Sequence, residues 1–337
     1  MKIIDFSKLN GQGNDFILID STKEKIIFSP EQVKHICDRH YGVGGDGVIF
    51  VRGSSIADLF MDYYNSDGSL AEMCGNGIRC MARFAHDKGI LKNEAMAIET
   101  RAGIKNVSLK LEDGEVKLIE VSMGAPILKT ESIPINTELI EKYVIEDIKD
   151  DNIEISSIKA ENINKCPKKV LNKFNSKANF NNKVNYVNYN IFFNKKVKIF
   201  NEYFNFNCVS MGNPHCVIFL DEVESLEDIN LLTFGPEIEN HPLFPNKTNV
   251  EFVKIKNDNE ISMRVWERGC GETLACGTGA CASVVAAIIS GRIKSNSVKV
   301  HLKGGELIIS WDGNLNNSVY LSGSVDYAFD GRYFLKD

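Results

Sequence analysis

The chain carries two similar segments around a cysteine, and this duplication constrains its fold more than any other feature. Cys74 lies in Met-Cys-Gly-Asn-Gly, and Cys276 lies in Ala-Cys-Gly-Thr-Gly, 202 positions later. A helical pattern of about a dozen residues follows each cysteine and stops at a glycine, Gly89 or Gly291, which are also 202 positions apart. The repeat predicts two similar halves, each presenting a thiol at the start of a helix, and a single site built from both.

The duplication extends beyond the cysteines. Near the starts of the halves, Gly13-Asn14-Asp15 resembles Gly212-Asn213-Pro214, and an apolar run follows each segment. Each half therefore reads as a strand, a loop, a helix, further strands, a glycine-bearing loop, a second helix and a β-rich tail. Four pairs of residues share the offset of 202 positions: Met61 and Met263, Tyr64 and Trp266, Asn65 and Glu267, and Gly103 and Gly305.

Short β-branched and aromatic runs predict many strands, while two helices are apolar on more than one face. Turn pairs such as Gly304-Gly305 and Asp113-Gly114 separate the runs. A helix that is apolar all round is usually buried. We therefore predict an α+β fold with a β-barrel-like shell around a central helix in each half. The strand predictions are 48–51, 108–111, 298–302 and 307–311.

Composition excludes several classes of protein. The 337 residues can bury a full core, and a net charge of −6 disfavours nucleic acid as a partner, because phosphate binding needs a basic face. No apolar run approaches the 18 or so residues of a membrane span, and the first residues do not form a secretion signal. Nine cysteines without such a signal predict reduced thiols and a cytoplasmic protein.

Residues 162–207 differ from the rest of the chain. They contain 14 Asn and many Lys, with scattered Phe and Tyr. They are interpreted as a tolerated insertion shaped by compositional bias, and the alternative is a partner surface. Residues 184–193 and 197–206 could pair as a hairpin across Asn194-Lys195-Lys196.

The two repeated cysteines are the candidates for chemistry. Unpaired backbone N–H groups and the positive end of the helix dipole would face each sulfur and lower the thiol pKa toward neutrality. The same N–H groups would bind a carboxylate. A base, an acid and a carboxylate cradle suit proton exchange at the α-carbon of an amino acid. A zinc site using Cys80 and Cys281 is the alternative, but their spacing within helices is poor ligand geometry and no metal is predicted.

Two glycine-rich stretches suggest a dinucleotide site, but each leads into a strand. Gly11-Gln-Gly13 precedes the run 16–19, and 42–47 precedes another apolar run. The dinucleotide fingerprint requires a helix after the glycines, so these stretches predict tight turns instead.

Several polar residues stand on loops beside glycines, where asparagine is usually a turn residue. Asn65 and Glu267 occupy equivalent places in the two halves. Glu267 would pair with an ammonium group, and Arg268 is suited to bind a carboxylate. His215 is either a satisfied core histidine or a group that supports the site. The remaining candidates are Asn14, Asn76, Asn213 and Asn249.

Taken together, these motifs resemble the diaminopimelate epimerase family over nearly the whole chain outside 162–207. The matching stretches are Asn10–Phe16, Asn65–Ser69, Cys74–Arg79, Gly212–His215, Glu267–Thr273 and Ala275–Ala280. The resemblance implies a cofactor-independent interconversion of LL- and meso-diaminopimelate on the route to lysine and peptidoglycan. It also implies a homodimer with diaminopimelate as its small-molecule substrate, and neither a nucleic-acid nor a membrane partner.

The resemblance further implies two pseudo-symmetric domains with the site in the cleft between them. The boundaries follow as residues 1–121 plus 324–337 for the half with Cys74, and 122–323 for the half with Cys276. Cys74 and Cys276 match the two bases. Gly75, Asn76, Gly277 and Thr278 match groups that hold the reacting carboxylate, and His215 matches a residue near the reacting centre. The groups that read the distal end of the substrate are matched by Asn14, Asn65, Asn213, Asn249, Glu267 and Arg268.

The chain departs from the family pattern at two positions. Gly47 stands where some members have Gln, and Phe329 stands where some have a Tyr that contributes a dimer contact. Two rival functions remain open. A proline or hydroxyproline racemase shares the architecture but tends to carry a His where this chain has Asn76, and it does not need Glu267-Arg268. A non-catalytic module that binds a small zwitterion would have no use for a thiol in each half.

Overall fold

A computed structural model describes residues 2–147, 191–220 and 225–335. These residues form five α-helices and one hydrogen-bonded sheet of eighteen strands. The strands of the first half are β1 (Lys2–Gly11), β2 (Asn14–Asp20), β3 (Gly47–Gly53), β4 (Leu59–Asn65), β5 (Ala95–Thr100), β6 (Gly103–Glu112) and β7 (Glu115–Gly124). After β8 (Val144–Asp147), the later strands are β9 (Lys195–Ile199), β10 (Glu202–Ser210), β11 (Pro214–Phe219), β12 (Asn249–Asn257), β13 (Glu260–Glu267), β14 (Gly271–Thr273), β15 (Ser297–Leu302), β16 (Gly305–Ser310), β17 (Val319–Gly323) and β18 (Asp326–Leu335). The helices are α1 (Pro30–Cys37), α2 (Gly75–Asp87), α3 (Ile140–Tyr143), α4 (Leu231–Glu239) and α5 (Gly277–Ile289).

Strand pairing repeats between the halves. In the first half, β1 to β7 pair in chain order, with β2–β3 and β4–β5 parallel and the other pairs antiparallel. In the second half, β10, β11, β12, β13, β15, β16 and β17 pair in the same alternation. The fold is the two-domain α+β architecture that the duplication predicts.

The halves are joined through the sheet. Strand β7 pairs antiparallel with β17, so the last strands of the two repeats are neighbours. The chain then returns to the first half, where β18 pairs with β1 over most of its length. In the second half, β9 takes the equivalent place beside β10.

Each half wraps its strands around one helix. Helix α2 packs against β1, β2, β3, β6 and β7, and α5 packs against β10, β11, β12, β16 and β17. The sequence of α5 is rich in Ala and Val, and its residues from Gly279 to Ala287 are buried. Small apolar side chains on every face let a helix lie inside such a shell, which confirms the predicted central helices. Both helices end two residues before the predicted glycines, and Gly89 (φ 66°) and Gly291 (φ 69°) adopt the left-handed conformation there.

Two shorter helices cover the outer faces. Helix α1 begins with Pro30 and a capping box, in which the Ser29 hydroxyl accepts from the Gln32 N–H and the Gln32 side chain accepts from the Ser29 N–H. It packs on β3, and α4 occupies the equivalent place beside β12. No helix among the described residues is long and apolar enough to cross a membrane.

The hairpin prediction was wrong in its pairing. Residues 197–206 do not form one strand, because the chain turns at Phe200-Asn201 and β9 pairs with β10. Phe200 has a φ of 54°, a left-handed conformation that a phenylalanine rarely adopts and that no residue in this segment predicts. Ile191 instead forms a bridge with Lys129, and residues 184–190 lie outside the described residues. The rest of the segment 162–207 before Ile191 lies outside them as well.

Candidate active site

The starts of the two central helices meet where the halves adjoin. Cys74 and Cys276 are the residues just before α2 and α5, and both have extended backbone conformations. A Cβ placed on Gly277 would lie 4.0 Å from the Cα of Gly75 and 2.9 Å from the Leu321 side chain. A larger residue at position 277 would have to displace the Leu321 side chain, so Gly277 lets the two N-termini lie close together. Two sets of unpaired N–H groups and two sulfurs are thereby brought to one place.

Cys74 lies within a network of three asparagine and aspartate side chains. Its Sγ donates to the Oδ1 of Asn14 over 3.6 Å, and the Nδ2 of Asn76 donates to the same oxygen over 3.4 Å. The Asn14 Nδ2 donates to the Asp46 carboxylate over 2.6 Å. Asp46 thus fixes the orientation of the Asn14 amide, so that its oxygen faces the thiol.

Cys276 has a different set of partners. Its sulfur accepts from the N–H of Gly279 over 3.4 Å, so it caps α5, and it lies 3.5 Å from the Thr278 hydroxyl oxygen. The Nδ2 of Asn213 donates to that oxygen over 3.3 Å. The structure therefore brings three of the predicted site residues of the second half into one hydrogen-bonded group.

The expectation that both thiols have a lowered pKa was wrong. Burial raises the pKa of both, and it raises that of Cys276 well above the ordinary value, because a thiolate loses its hydration there. The negative charge of Glu267 raises the pKa of both thiols further. The backbone N–H groups of Asn76 and Gly77 near Cys74, and the hydrogen bond from the Gly279 N–H to Cys276, act in the opposite direction without overcoming burial. Both cysteines are therefore predominantly thiols at neutral pH in the empty protein.

A buried histidine–glutamate pair lies behind Cys276. The Nδ1 of His215 lies 2.7 Å from the Oε1 of Glu251, and its Nε2 lies 3.1 Å from the Oδ1 of Asn213. Both side chains of the pair are fully buried. Burial raises the pKa of the Glu251 carboxyl, an effect that the His215 contact opposes. His215 is thus connected through Asn213 to the Thr278 hydroxyl.

Sequence reasoning missed Glu251. It lies within β12 and points its Oε1 at the first turn of α5, where a Cβ on Gly279 would come within 2.6 Å of it. The residue at the same place in the first half is Ile49, whose Cδ1 would lie 3.1 Å from a Cβ on Gly77. A glutamate that replaces an isoleucine between two otherwise similar strands is the signal that could have identified it.

Of the six predicted distal-end residues, Asn14 and Asn213 lie in the hydrogen-bonded groups of Cys74 and Cys276, and Asn249 and Arg268 contact each other. The Asn249 side chain is buried, donates to the Pro214 carbonyl over 2.7 Å and accepts from the Arg268 N–H over 2.9 Å. The Arg268 side chain is exposed and donates to the Asn246 carbonyl over 3.3 Å.

The other two distal-end residues end equivalent strands. Asn65 is the last residue of β4, and its Nδ2 donates to the Ser69 hydroxyl over 3.0 Å within its own loop. Glu267 is the last residue of β13 and accepts from the Thr273 hydroxyl over 2.5 Å. Since its charge acts on both thiols, Glu267 lies close to the junction of the two helix starts.

The structure explains Gly47, one of the two departures from the family pattern, and shows the surroundings of Phe329, the other. A Cβ on Gly47 would lie 2.5 Å from the carbonyl oxygen of Tyr64 and 2.6 Å from the Tyr63 ring, so only glycine fits. Phe329 is 49% exposed and packs edge-on against Phe6, with 5.9 Å between ring centroids. The Phe329 ring is therefore partly packed, and it has no hydroxyl to contribute a dimer contact.

The alternative zinc site would have used Cys80 and Cys281. The described cysteines are free thiols, and Cys80 and Cys281 are buried in the cores of α2 and α5. Burial raises the pKa of the Cys281 thiol to about 12, as befits a neutral core residue. Within residues 2–147, 191–220 and 225–335, no group of three His, Cys, Asp or Glu side chains could hold a metal ion.

Comparison of sequences relates this chain to diaminopimelate epimerases. The family model of diaminopimelate epimerase matches residues 6–129 and 207–328. The diaminopimelate epimerase of Leptospira biflexa is 40% identical over 330 residues, which cover 98% of this chain and 98% of that protein. The diaminopimelate epimerase of Methanococcus maripaludis is 39% identical over 327 residues, covering 97% of this chain and 98% of that protein.

Relatives in structure are more distant in sequence. A hydroxyproline epimerase from Agrobacterium vitis has a TM-score of 0.62 at 12% identity, covering 99% of this chain and 93% of that chain. A Bacillus anthracis phenazine biosynthesis protein of the PhzF family has a TM-score of 0.59 at 13% identity, covering 99% of this chain and 100% of that chain. At these identities the similarity establishes the shared fold.

Proposed function

Because the chain belongs to the diaminopimelate epimerase family and is an isomerase, we propose that it interconverts LL- and meso-diaminopimelate by proton transfer between two cysteines. The observation that carries the mechanism is the meeting of the α2 and α5 starts, with Cys74 and Cys276 at their N-caps. The proposal includes a place on the route to lysine and peptidoglycan, a homodimer and a cytoplasmic location.

In the proposed mechanism, one cysteine removes the α-proton as a thiolate, and the opposite thiol delivers a proton to the other face. The roles exchange in the reverse direction. Each round starts with one thiolate and one thiol, so one of the two thiols must first release its proton to water. Each sulfur would lie roughly 3–3.5 Å from the α-carbon, which places the two sulfurs about 6–7 Å apart. The raised thiol pKa values make a thiolate, once formed, a stronger base toward the α C–H.

The reacting carboxylate would be held by the N–H groups at the helix starts. Gly75 and Asn76 supply those of α2, and Gly277 and Thr278 supply those of α5. As the α-proton leaves, negative charge develops on this carboxylate, and oriented N–H groups stabilise it without reorganisation. No cofactor is required by this scheme.

The distal amino acid end of the substrate would be recognised by the asymmetric residues of the site. Glu267 would pair with the distal ammonium group and Arg268 with the distal carboxylate, with Asn14, Asn65, Asn213 and Asn249 as amide partners. The domain boundaries remain part of the proposal, with residues 1–121 and 324–337 in one half and 122–323 in the other. The pairing of β18 with β1 supports the return of the chain end to the first half.

Substitution of each catalytic cysteine tests the mechanism. Cys74→Ala and Cys276→Ala are each expected to abolish epimerisation, because either change removes one of the two proton-transfer groups. Cys270→Ala is the matched control, since Cys270 is exposed and lies outside the helix starts. Turnover of diaminopimelate near the wild-type rate by either active-site variant would refute the two-base assignment. Racemisation of proline without turnover of diaminopimelate would instead favour the rival racemase.

A further inference from the structure

Arg79 is a fully buried arginine in the first turns of α2. Its Nη1 donates to the Gly75 carbonyl over 3.0 Å, and its Nη2 donates to the Oδ1 of Asn76 over 2.8 Å and to the Oε1 of Gln12. The guanidinium lies so close to Gly323 that a Cβ there would come within 3.0 Å of its Nε. The side chain is therefore packed into one position directly behind the helix start that carries Cys74.

This buried cation has no counter-ion in the described part of the chain. Its partners are a carbonyl and two amide oxygens, all neutral, and among the described residues the only charges that act on it are those of cysteine thiolates. Its Nε is buried without a hydrogen-bond partner. Burial lowers the pKa of the Arg79 guanidinium to about 10, because the cation loses its hydration there. An uncompensated buried charge is strongly destabilising, so its retention calls for an anion nearby.

The second half has no equivalent cation. The residue at the same place in α5 is Cys281, which is buried and neutral. Since the two helices are otherwise alike in length and position, packing inside the shell does not require an arginine. The charge therefore serves something that only the first half provides.

The contacts of Arg79 connect its guanidinium to the start of α2, where Cys74 lies. By donating to the Asn76 Oδ1, Arg79 turns the Asn76 Nδ2 toward the Asn14 oxygen, which lies 3.6 Å from the Cys74 Sγ. By donating to the Gly75 carbonyl, it holds the first residue of the helix. Its positive charge also lowers the pKa of Cys74.

We propose that Arg79 is a positioning residue whose counter-ion is the anion that forms or binds between the two helix starts. Without substrate that anion is the Cys74 thiolate, which forms only when Cys74 loses its proton, and with substrate bound it is a substrate carboxylate held by the α2 N-terminus. The second statement rests on the proposed function, whereas the first concerns the protein alone. Arg79 touches neither the sulfur nor the substrate, and it acts through Gly75 and Asn76.

The variant Gln12→Glu tests the proposal with little change in shape. It places a carboxylate on the atom that already accepts from Arg79 and so gives the cation an internal counter-ion. We expect the pH of half-maximal alkylation of Cys74 by iodoacetamide, read by peptide mass spectrometry, to rise by about one unit, with a smaller shift at Cys276. At a fixed pH near 8, Cys74 should react about tenfold more slowly.

Direct replacement of the arginine gives a second arm. Arg79→Met removes the charge and should raise the Cys74 alkylation pH as Gln12→Glu does, whereas Arg79→Lys keeps the charge and should shift it less. Arg83→Met is the matched control, because Arg83 lies one turn later in α2 and donates to the Val325 carbonyl instead. Circular dichroism establishes that each variant is folded, and if Arg79→Met does not fold, Gln12→Glu decides the matter alone.

The proposal is overturned if Cys74 in folded Gln12→Glu alkylates with the wild-type pH dependence. It is equally overturned if Arg83→Met shifts the Cys74 profile as much as Gln12→Glu does. Because alkylation requires no turnover, these results do not depend on the proposed function. A protein that shows the Cys74 shift yet fails to epimerise diaminopimelate would leave Arg79 as assigned and remove diaminopimelate as the substrate. The second statement, that a substrate carboxylate is the counter-ion when substrate is bound, predicts that Gln12→Glu raises the KM for diaminopimelate.

Discussion

At the scale of single residues, the two halves share a backbone plan but carry different chemistry at equivalent places. Glu251 stands where the first half has Ile49, and Asn65 stands where the second half has Glu267. The cysteines are the symmetric element, and the residues around them make the site asymmetric. A substrate with two different ends to be read would require such a difference, whereas the proton transfer itself would not.

Replacing Glu267 should change the pKa of both cysteines in a known direction. Its negative charge raises the pKa of both Cys74 and Cys276, so Glu267→Gln should lower both values. Each thiol should then alkylate at a lower pH, while binding of diaminopimelate weakens through loss of the ammonium partner. Glu260→Gln is the control, because Glu260 begins the same strand that Glu267 ends. Unchanged alkylation profiles at both cysteines in Glu267→Gln would contradict the arrangement described here.

The sequence was sufficient to identify the cysteines but not their electrostatic environment. The repeated motif located Cys74 and Cys276 because helix starts leave recognisable glycines and small residues. The direction of their pKa shifts could not be predicted, since burial depends on the packing of both halves around them. Glu251 was missed for the same reason: in a strand, a lone glutamate usually points to solvent, and only the fold shows that this one is buried.

At the scale of elements, the starts of α2 and α5 differ in how much space surrounds them. A Cβ on Gly279 would lie 2.6 Å from the Glu251 carboxylate, which His215 holds in place. A Cβ on Gly77 would meet the ends of two flexible side chains, Met61 and Ile49, at 3.0 and 3.1 Å, and the Cys74 Cβ at 3.4 Å. The third residue of α5 is therefore more tightly constrained than the third residue of α2.

Alanine substitutions at Gly279 and Gly77 should destabilise the protein to different extents. Gly279→Ala is expected to lower the free energy of unfolding by about 2–3 kcal/mol, because the clash with Glu251 displaces its buried hydrogen bond with His215. Gly77→Ala should cost about 1 kcal/mol or less, since side-chain adjustment and the better helix propensity of alanine offset the contact. Urea denaturation of the two variants measures the difference. Equal losses of stability would show that Glu251 can move freely away from Gly279.

Elements with strong local signals were predicted well, and those set by unusual backbone were not. The apolar runs of β3 and β15 and the long helices α2 and α5 agree with the structure. The hairpin of β9 and β10 was misplaced, because its turn uses Phe200 in a left-handed conformation without a glycine. The turn is stabilised by the surrounding packing, where Phe200 and Phe204 both contact Phe234.

At the scale of the whole molecule, the two halves are linked through continuous strand pairing rather than through a linker alone. The pairing of β7 with β17 joins the repeats, and β18 closes the first half by covering β1. Sequence alone predicted the duplication, but strand order between distant segments is fixed by pairing that leaves no local pattern. The position of the site between the halves depends on both connections.

Removal of β18 should destabilise the first half. Deletion of residues 326–337 uncovers β1, where Ile4 and Phe6 are buried, and loss of their burial alone costs roughly 3–6 kcal/mol. An uncovered strand edge also favours aggregation. Thermal unfolding and light scattering measure both effects, and deletion of residues 336–337 alone is the control. A stable, monodisperse protein without 326–337 would show that β18 is not needed to complete the first half.

The central claim is that Cys74 and Cys276 exchange one proton at one α-carbon of diaminopimelate. Turnover of LL-diaminopimelate in heavy water, without added cofactor and followed by mass spectrometry and proton NMR, tests it most directly. The account predicts that the meso product carries a single deuterium at the inverted α-carbon, and that neither Cys74→Ala nor Cys276→Ala forms this product. Deuterium at both α-carbons, or meso product without any deuterium, would contradict it.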